Sequence, residues 1–509
     1  MPLVPEASPP TSAEQGRDIT VTGTFDSCDP SNGQVLGTYP VHGPAEVDAA
    51  VARAREAALW WRAQGDDGRR ASLNAWKGVL ARRIHELAEL VHRENGKPEA
   101  DAVLEIVLAV DDIAWAARHA RRVLGPRRVR TGLLTVNQAA WLEYQPYGVV
   151  GVIGPWNYPV YTPMGSLAYA LAAGNAVVFK PSEYTPGVGV WLARAWAMAV
   201  PERPEVLQVL TGGGATGAAL TRADVDKIAF TGSAATGRRV LAACAENLVP
   251  ALMECGGKDA LVVDDDADVP AAADAALWGA MSNAGQTCVG IERVYATDAV
   301  YDAFVHELTA RARRLRPGSD PAASYGPMTT ARQVEVVREH VRDALGSGGR
   351  AVVGGEVAGV LVPPTVLVDV PESSAAIGDE TFGPTVTVTR VPDAEEGVRR
   401  ANASRYGLGG AVFTRSRARG MQLARAMRSG MTSINSVVSF AGVPGLPFGG
   451  VGDSGFGRVR GDDGLREFAR AKAITRQRFG LPVPLLTFDR RAGATDQLAK
   501  VVALLHGRR

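Results

Sequence analysis

Cys288 is the residue whose sequence context best suits a nucleophile. It closes the run SNAGQTC, in which Gly285 and Gln286 indicate an exposed turn, and Arg293 follows a few residues later. A cysteine attacks as its thiolate, which a base, a helix start or a nearby cation must stabilise. The alternative is a small buried hydrophobic side chain, the commonest role of a lone cysteine.

Glu254 is the matching candidate for a general base. It lies in ALMECGGK, between apolar residues and the double glycine Gly256–Gly257. Burial in apolar surroundings disfavours a charged carboxylate, so we expect a raised pKa for Glu254, suited to proton transfer near neutral pH. The alternative is an ordinary carboxylate at a helix end or on the surface.

Glycine turns that follow strand-like runs could hold phosphate groups. Ile228–Gly237 predicts a strand, the turn Gly232–Ser233 and then a helix, whose first N–H groups could bind phosphate together with the serine hydroxyl. A plain strand–helix turn is the alternative. Gly212–Gly217 also fits GxGxxG, but it follows a short strand and lacks the acidic residue expected about 20 positions later. We interpret it as a decoy or an adenine-side loop.

Three stretches contain no charged residue and no histidine: Tyr144–Phe179, Ala275–Ile291 and Ser429–Gly452. Apolar walls with a few placed polar groups are typical of a ligand tunnel, and ordinary core is the alternative for any one stretch. The first stretch is long enough for a membrane span, but its prolines would break a helix. Buried strands joined by a tight loop therefore fit it better.

The elements around these residues predict an α/β fold. Residues 47–124 show helical periodicity, and the short alternating runs of residues 130–148 indicate a hairpin. From Gly148 the order is β-α-β-α-β, which predicts a parallel sheet with right-handed crossovers. A second series, with strand-like runs in DALVVDD, AVVGG and GAVFT, follows a break near Gly256–Gly257.

Composition excludes several functions. Lys plus Arg is 55 and Asp plus Glu is 54, which argues against binding nucleic acid or anionic membranes. The four cysteines lack CxxC spacing, so we predict no disulfide framework, no metal site and a cytoplasmic location. Residues 1–19 have no signal-peptide pattern and are predicted to be a disordered lead-in. The C-terminal QLAKVVALLHGRR predicts a short amphipathic helix that packs or frays, with a membrane foot as the alternative.

Motifs from about Thr20 to Phe479 resemble those of the NAD(P)-dependent aldehyde dehydrogenase superfamily. They stand in family order: PWNYP (155–159), KPSE (180–183), FTGS (230–233), MECGGK (253–258), GQTC (285–288), ETFGP (380–384) and PFGG (447–450). A single motif would be weak support for this resemblance. All seven in family order favour it over the structural alternatives given above for Cys288, Glu254 and the glycine turns.

The resemblance implies a reaction and its catalytic residues. Cys288 would attack an aldehyde to give a thiohemiacetal, and Asn157 with the backbone N–H of Cys288 would form the oxyanion hole. Hydride transfer to the nicotinamide would leave a thioester. Water activated by Glu254 would hydrolyse it to a carboxylic acid.

The resemblance also implies a dinucleotide site. Lys180 and Glu183 match residues that hold the adenosine ribose, and a carboxylate there would repel a 2′-phosphate. NAD is therefore favoured, with NADP as the alternative. The predicted contact residues are Trp156, Lys180, Pro181, Ser182, Glu183, Gly213, Gly217, Phe230, Thr231, Gly232, Ser233, Glu254, Cys255, Gly256, Glu380 and Phe382.

The family fold implies a Rossmann-like cofactor domain, an α/β catalytic domain and a β bridging arm. The corresponding residues are 20–127 with 148–255, then 256–469, then 128–147 with 470–490, followed by a C-terminal tail at 491–509. Because such an arm usually adds strands across a subunit interface, a homodimer or homotetramer is implied.

The substrate is predicted from positions expected to line the tunnel. These are Tyr158, Tyr161, Thr162, Gly165, Thr287, Val289 and the loop 436–446. Thr162 and Gly165 are small where many relatives carry bulky side chains, and the uncharged stretches offer no cation for a carboxylate-bearing semialdehyde. We therefore predict a neutral aliphatic or aromatic aldehyde that is bulky or long, with a succinic semialdehyde-type substrate as the alternative.

Other functions fit the residues less well. A CoA-acylating dehydrogenase usually lacks the glutamate base, but Glu254 is present. An inactive relative kept as a binding protein would not need Cys288, Glu254 and Asn157 together. A Rossmann dehydrogenase with a Tyr/Lys or zinc site is disfavoured by the cysteine spacing.

One departure from the family pattern is Cys255, where leucine is commonest. A thiol directly beside the predicted base Glu254 predicts sensitivity to oxidation.

Overall fold

Strands and helices alternate along most of the chain. The computed structural model describes residues 23–481 and 487–507, so the predicted lead-in at 1–19 lies outside the described residues. In chain order the strands are β1 (Thr24–Cys28), β2 (Val35–Pro40), β3 (Arg127–Val129), β4 (Gln138–Pro146), β5 (Val149–Ile153), β6 (Ala176–Lys180), β7 (Leu207–Val209), β8 (Lys227–Gly232), β9 (Ala251–Cys255), β10 (Asp259–Val263), β11 (Ile291–Thr297), β12 (Arg350–Val353), β13 (Thr365–Val368), β14 (Thr385–Val391), β15 (Gly410–Phe413), β16 (Ser433–Ile434), β17 (Gly455–Phe456) and β18 (Ala469–Gln477).

The helices confirm the predicted helical region before residue 124 and the α/β alternation after it. In chain order they are α1 (Pro44–Ala63), α2 (Gly65–Arg82), α3 (Ile84–Asn95), α4 (Glu99–Leu124), α5 (Tyr161–Ala172), α6 (Pro186–Ala199), α7 (Gly214–Arg222), α8 (Ala234–Glu246), α9 (Val269–Met281), α10 (Tyr301–Ala312), α11 (Ala331–Gly346), α12 (Ala375–Gly378), α13 (Ala394–Asn402), α14 (Arg417–Ala426), α15 (Gly461–Glu467) and α16 (Ala494–His506).

A six-stranded sheet has the order β17-β9-β8-β5-β6-β7. Strands β5 to β9 run parallel, as the sequence predicted, and only β17 is antiparallel to its neighbour β9. β5 and β6 are buried along their whole length, which explains their continuous apolar sequence. From β5 the chain continues to β6 and β7 on one side, and it then returns to β8 and β9 on the other side of β5. This switch in strand order creates a crevice at the carboxyl ends of the strands.

A seven-stranded sheet has the order β12-β13-β14-β11-β10-β15-β16. Its strands are parallel except β12, which pairs antiparallel with β13. The run AVVGG thus forms an antiparallel edge. The reason is that a loop without a helix joins β12 to β13, whereas parallel pairing needs a long crossover.

A three-stranded antiparallel sheet has the order β18-β4-β3. β3 and β4 form the predicted hairpin, and β18 pairs with β4 along its full length. Parts of the two segments assigned to a bridging arm, namely β3 with β4 and β18, therefore lie in one sheet, and the role of that sheet in assembly stays a prediction.

The C-terminal helix α16 is formed but barely packed. Only Ala494 is buried, while Val501, Leu504 and Leu505 are exposed. The sequence predicted a short helix here that packs or frays; the helix is present, and little of it packs against the described part of the chain. Within the described residues no helix combines the length and the apolar character needed to cross a membrane.

Candidate active site

The predicted site residues gather at one edge of the six-stranded sheet. β5, β6, β8 and β9 all end there, because parallel strands direct their carboxyl ends the same way. The residues that follow these four strand ends are, in order, Asn157, Glu183, Ser233 and Gly256. The edge includes the switch point between β5 and β8, where open α/β sheets bind ligands.

The start of α8 offers an anion site. Ser233 is its N-cap, and the serine hydroxyl accepts a hydrogen bond from the Thr236 N–H at 3.2 Å. A Cβ on Gly232 would lie 2.7 Å from the ring of Phe230, so glycine allows this close approach. The first N–H groups of α8 and its positive dipole end suit a pyrophosphate.

A cation and a carboxylate lie side by side after β6. Lys180 Nζ is 3.1 Å from Glu183 Oε2, and both side chains are largely buried. Pro181 and Ser182 form the turn between them, which packs so closely on α6 that a Cβ on Gly189 would meet the proline ring at 2.4 Å. Such a pair can exchange hydrogen bonds with the hydroxyls of a ribose.

Gly213 and Gly217 lie at the start of α7, beyond the edge strand β7. Gly213 is the N-cap of that helix, and Gly217 lies near Ile153. Thr216 donates from its hydroxyl to the His42 carbonyl at 2.7 Å, which ties the turn to the N-terminal part of the chain. The GGGATG motif is thus a strand–helix turn, and its contact with an adenine stays a prediction.

Glu380 reaches across the cleft to the turn after β9. It accepts a hydrogen bond from the Gly257 N–H at 2.9 Å, and a Cβ on Gly256 would lie 2.0 Å from its carboxylate. Glycine at 256 is therefore required for this approach. Burial, reinforced by the charge of Glu292, raises the pKa of Glu380 to about 8.

Phe382 is held in an unusual conformation beside Trp156. Its φ is 50°, which a non-glycine residue keeps only when its surroundings fix it. Glu292 accepts from the Phe382 N–H at 2.9 Å and is itself paired with buried Lys258. The rings of Phe382 and Trp156 meet edge-on at 5.6 Å. The sequence analysis missed Glu292, because nothing in the MECGGK motif shows which carboxylate its lysine pairs with.

Cys288 lies on a tight turn between α9 and β11. The preceding residues Asn283, Ala284 and Gly285 are all left-handed, with φ of 52°, 54° and 71°. Glycine is needed at 285, where a Cβ would lie 2.0 Å from the Gly383 carbonyl oxygen. The turn leaves Cys288 partly exposed, in agreement with the interpretation from the sequence.

Asn157 is fixed beside this turn. Its Nδ2 donates to the Gln286 carbonyl at 2.9 Å. Its own carbonyl accepts from Lys97 Nζ at 2.7 Å and from Asn283 Nδ2 at 3.0 Å. A side-chain amide nitrogen carries two N–H groups, so Asn157 keeps a second donor beyond its bond to Gln286, which is in the turn that leads to Cys288.

Glu254 is buried in β9, where Thr231 Oγ1 lies 3.3 Å from its Oε2. Burial raises the pKa of Glu254 to about 7, and the charge of Arg460 and the Thr231 hydrogen bond oppose that rise. This confirms the raised pKa that the sequence predicted. The carboxylate can therefore accept a proton near neutral pH.

The thiol of Cys288 differs from the expectation of a stabilised thiolate. Although part of Cys288 is exposed, partial burial is still the main cause that raises the pKa of its thiol well above the usual value, and the charges of Glu254 and Glu380 add to it. Cys288 is therefore protonated at rest and needs a base before it can attack.

One cavity joins Cys288 and Glu254. Most of its wall is apolar. Five of the predicted substrate positions line it: Tyr158, Tyr161, Thr162, Thr287 and Val289. The predicted loop 436–446 contributes Val438 and Ala441.

Gly165 does not belong to this wall. It is buried in α5, where a Cβ would meet the Val459 side chain at 3.3 Å and Arg460 Nε at 3.6 Å. Its small size therefore makes room for the chain before α15 and not for substrate.

Two cations that the sequence analysis missed lie in the wall, Lys97 and Arg460. The expected absence of cations is thus wrong for the cavity, because the wall also draws on residues outside the uncharged stretches. Each cation is neutralised by a buried carboxylate. Lys97 is 2.6 Å from Glu105, and Arg460 is 2.9 Å from Asp112.

Cys255 faces away from the cavity. It packs under α8, where a Cβ on Gly237 would lie 2.9 Å from its Sγ, and it belongs to an apolar core cluster. Burial, with a contribution from Glu254, raises the pKa of Cys255 to about 12. Oxidation needs an accessible thiolate, so this placement argues against the expected sensitivity at this thiol.

The geometry can be compared with known proteins. The model of the aldehyde dehydrogenase family matches residues 19–474. This chain belongs to the aldehyde dehydrogenase family. It is an oxidoreductase that acts on aldehydes, and its family uses NAD or NADP.

Named relatives of this aldehyde dehydrogenase differ in their substrates. It is 37% identical over 489 residues to 4,4'-diapolycopene aldehyde oxidase from Methylomonas sp. That match covers 95% of this chain and 92% of the relative. It is 35% identical over 472 residues to the NADP(+) succinate-semialdehyde dehydrogenase of Escherichia coli. That match covers 90% of this chain and 94% of the relative.

The fold of this aldehyde dehydrogenase is shared with solved structures. The crystal structure of PnpE in complex with nicotinamide adenine dinucleotide matches with a TM-score of 0.87 and 32% identity. The match covers 91% of this chain and 96% of that one. The capped start of α8 in this chain fits the pyrophosphate of a dinucleotide.

Proposed function

We propose that this aldehyde dehydrogenase oxidises a long or bulky neutral aldehyde to its carboxylic acid, through a thiohemiacetal and a thioester on Cys288. The observation that carries the proposal is the mostly apolar cavity that Cys288 and Glu254 both line. Burial of a hydrocarbon chain there would contribute roughly 0.8 kcal/mol per CH₂ group. The relative named for a diapolycopene aldehyde supports an apolar substrate.

The first step is attack by Cys288. Because its pKa is raised, a base must take the thiol proton, and Glu254, with a pKa of about 7, lines the same cavity. The thiolate adds to the aldehyde carbon, and the C=O electron pair moves to the oxygen. Asn157 Nδ2–H and the backbone N–H of Cys288 stabilise that negative oxygen.

The second half of the reaction is hydrolysis. A bound nicotinamide cofactor supplies the acceptor for the hydride that leaves the substrate carbon. Cys288 then holds the acyl group as a thioester, and Glu254, its earlier proton released to solvent, takes a proton from water. The resulting hydroxide adds to the thioester carbon, the carbon–sulfur bond breaks, and the thiolate of Cys288 leaves the carboxylic acid product.

We propose NAD as the preferred cofactor. Ser233 and the first turn of α8 would hold the pyrophosphate, and Lys180 with Glu183 would bind the adenosine ribose. Since the Glu183 carboxylate would repel a 2′-phosphate, NADP should bind more weakly. The NADP(+) relative makes a comparison of both nucleotides necessary.

An aldehyde panel with both nucleotides tests the substrate class. We expect kcat/KM to rise about three- to fourfold per added CH₂ group along a series of linear aldehydes, until the chain fills the cavity. Succinic semialdehyde should be a poor substrate, because the charge of Lys97 and the charge of Arg460 are each balanced by a buried carboxylate. A profile that peaks at succinic semialdehyde would instead support the semialdehyde alternative.

Replacing Asn157 with alanine should slow acylation. Loss of one oxyanion donor typically lowers kcat by about 100- to 1000-fold. The size of the rapid burst of reduced cofactor should stay near one per site while its rate falls. Asn175→Ala is the matched control, since Asn175 is also a buried amide that hydrogen bonds backbone groups, but those groups belong to Gly148, Ala170 and Phe468 and not to the turn that carries Cys288. A normal burst rate in Asn157→Ala would exclude the assigned role.

We also propose a homodimer or homotetramer built on the three-stranded sheet. β18 is an edge strand, and all but its first residue are exposed. An exposed edge offers unpaired backbone groups to a second copy.

The cytoplasm is the compartment that we propose. All four cysteines are free thiols. Free thiols are usual where the surroundings are reducing.

A further inference from the structure

Arg460 and Asp112 form a buried ion pair in the wall of the cavity. Arg460 Nε lies 2.9 Å from Asp112 Oδ2, and the two side chains are 3% and 2% exposed. Asp112 is on α4 and Arg460 immediately precedes α15, so the pair links distant parts of the chain. Burial of two charges is costly, which makes a role beyond linkage worth seeking.

The guanidinium is fixed on all sides. It lies 3.9 Å from the ring centre of Tyr161 and 4.9 Å from that of Phe448. Its backbone has φ of 63° and ψ of 170°, a region that only glycine adopts easily, and Gly165 leaves space for Nε. A strained residue of this kind persists only where its surroundings hold it in place.

One donor of this fixed group is unused. Arg460 Nη1 is buried and has no hydrogen-bond partner within the described structure. Lys97, the other cation in the wall, differs. Its Nζ donates to Glu105 and to the Asn157 carbonyl, and it lies 3.8 Å from the ring centre of Tyr158. Arg460 is therefore the cation in this wall with a donor left for another group.

We propose that the Asp112–Arg460 pair is a positioning device for Glu254, in which Arg460 stabilises the ionised carboxylate and Asp112 limits the strength of that effect. The inference rests on the proposed function of Glu254. Glu254 and Arg460 line the same cavity. The charge of Arg460 is also the largest influence that opposes the effect of burial on the pKa of Glu254.

The other titratable groups around the cavity do not supply this charge. Those from neighbouring elements are Lys97, Asp101, Glu105, Tyr158, Tyr161 and Cys288. Lys97 is paired with Glu105. Burial raises the pKa values of Tyr158, Tyr161 and the Cys288 thiol, so these three side chains stay neutral. Asp101 is balanced by Lys97, whose charge lowers its pKa against burial. Cys255 and Glu380 lie near Glu254 but carry no positive charge.

The two halves of the pair should act in opposite directions. Arg460→Gln removes the cation, so Glu254 should ionise at a higher pH. Asp112→Asn leaves Arg460 uncompensated, so Glu254 should ionise at a lower pH. In a plot of the deacylation rate against pH, we expect the acidic limb to move by about one pH unit, upward in Arg460→Gln and downward in Asp112→Asn.

Further variants separate this role from simple support of the fold. Arg460→Lys keeps the charge and should leave the limb in place, and the double variant Asp112→Asn with Arg460→Gln should fall between the single ones. Lys227→Gln breaks a different largely buried pair, with Glu467, and should not move the limb. If Arg460→Gln does not fold, Asp112→Asn and Arg460→Lys carry the comparison.

Limbs that stay fixed, or that shift the same way in both single variants, would overturn the proposed positioning role. Failure of the proposed function looks different, because the wild-type protein would then form no carboxylic acid from any aldehyde in the panel. The two outcomes are therefore distinguishable in one set of measurements.

Discussion

Cys288→Ala should abolish aldehyde oxidation, with kcat/KM lowered by roughly 10⁴-fold or more, the order that loss of a nucleophile costs. The reason is that no other residue lining the cavity carries a thiol within the described structure, so no covalent acyl intermediate can form. Both the burst and the steady-state production of reduced cofactor should vanish, and absorbance of the reduced nicotinamide measures both.

Cys244→Ala is the control for this substitution. Cys244 is buried in α8, and burial raises its pKa to about 11, so it is an inert core thiol. Its loss should lower the melting temperature slightly and leave the burst intact. Alkylation of a single cysteine with parallel loss of activity in the wild type, and resistance of Cys288→Ala to that alkylation, would complete the assignment. A burst that persists in Cys288→Ala would contradict the covalent mechanism.

The sequence could predict Cys288, Glu254 and Asn157 as a group because each lies in a short motif. Parallel strands then bring such motifs together, since Asn157 follows the end of β5 and Glu254 lies near the end of β9 in the same sheet. The pKa of Glu254 followed from the same local cue, its apolar neighbours. What a motif could not show is that Cys288 is protonated at rest, because its pKa depends on carboxylates from other segments.

Arg460 and Asp112 could not be predicted in this way. They are 348 positions apart, and no periodic pattern connects them. Arg460 also has a backbone conformation that a sequence analysis would reserve for glycine. Lys97 and Glu105 were missed for a different reason, because Lys97 precedes α4 and Glu105 lies in it, outside the uncharged stretches that the substrate prediction considered.

The role of small residues was also hidden. Gly165 suggested space for substrate, yet the space is filled by Val459 and by Arg460 Nε. Cys255 follows Glu254 directly, yet alternation along β9 sends the two side chains to opposite faces. In both cases the partner lies on another element, so tertiary packing decides what the side chain meets.

Glu254→Gln should separate the two halves of the reaction. The amide keeps the shape of the side chain and its contact with Thr231, but it cannot take a proton from water. The amide also cannot take the thiol proton of Cys288, but loss of the Glu254 charge removes one cause of the raised pKa of that thiol, so acylation should become slower and still go to completion. We therefore expect a burst of about one reduced cofactor per site, followed by a steady-state rate lower by about 100- to 10,000-fold, the contribution of a general base.

Glu94→Gln is the matched control, because burial also raises the pKa of Glu94 to about 7. Glu94 accepts hydrogen bonds from Ser27 and from the N–H groups of Gly187 and Val188, and it does not line the cavity. Its substitution should lower the melting temperature and leave the ratio of burst to steady-state rate unchanged. An acyl-enzyme trapped in Glu254→Gln, detected by mass spectrometry as a modification of Cys288, would identify the step that fails. A wild-type steady-state rate in this variant would mean that another group activates the water, because a neutral amide cannot do so.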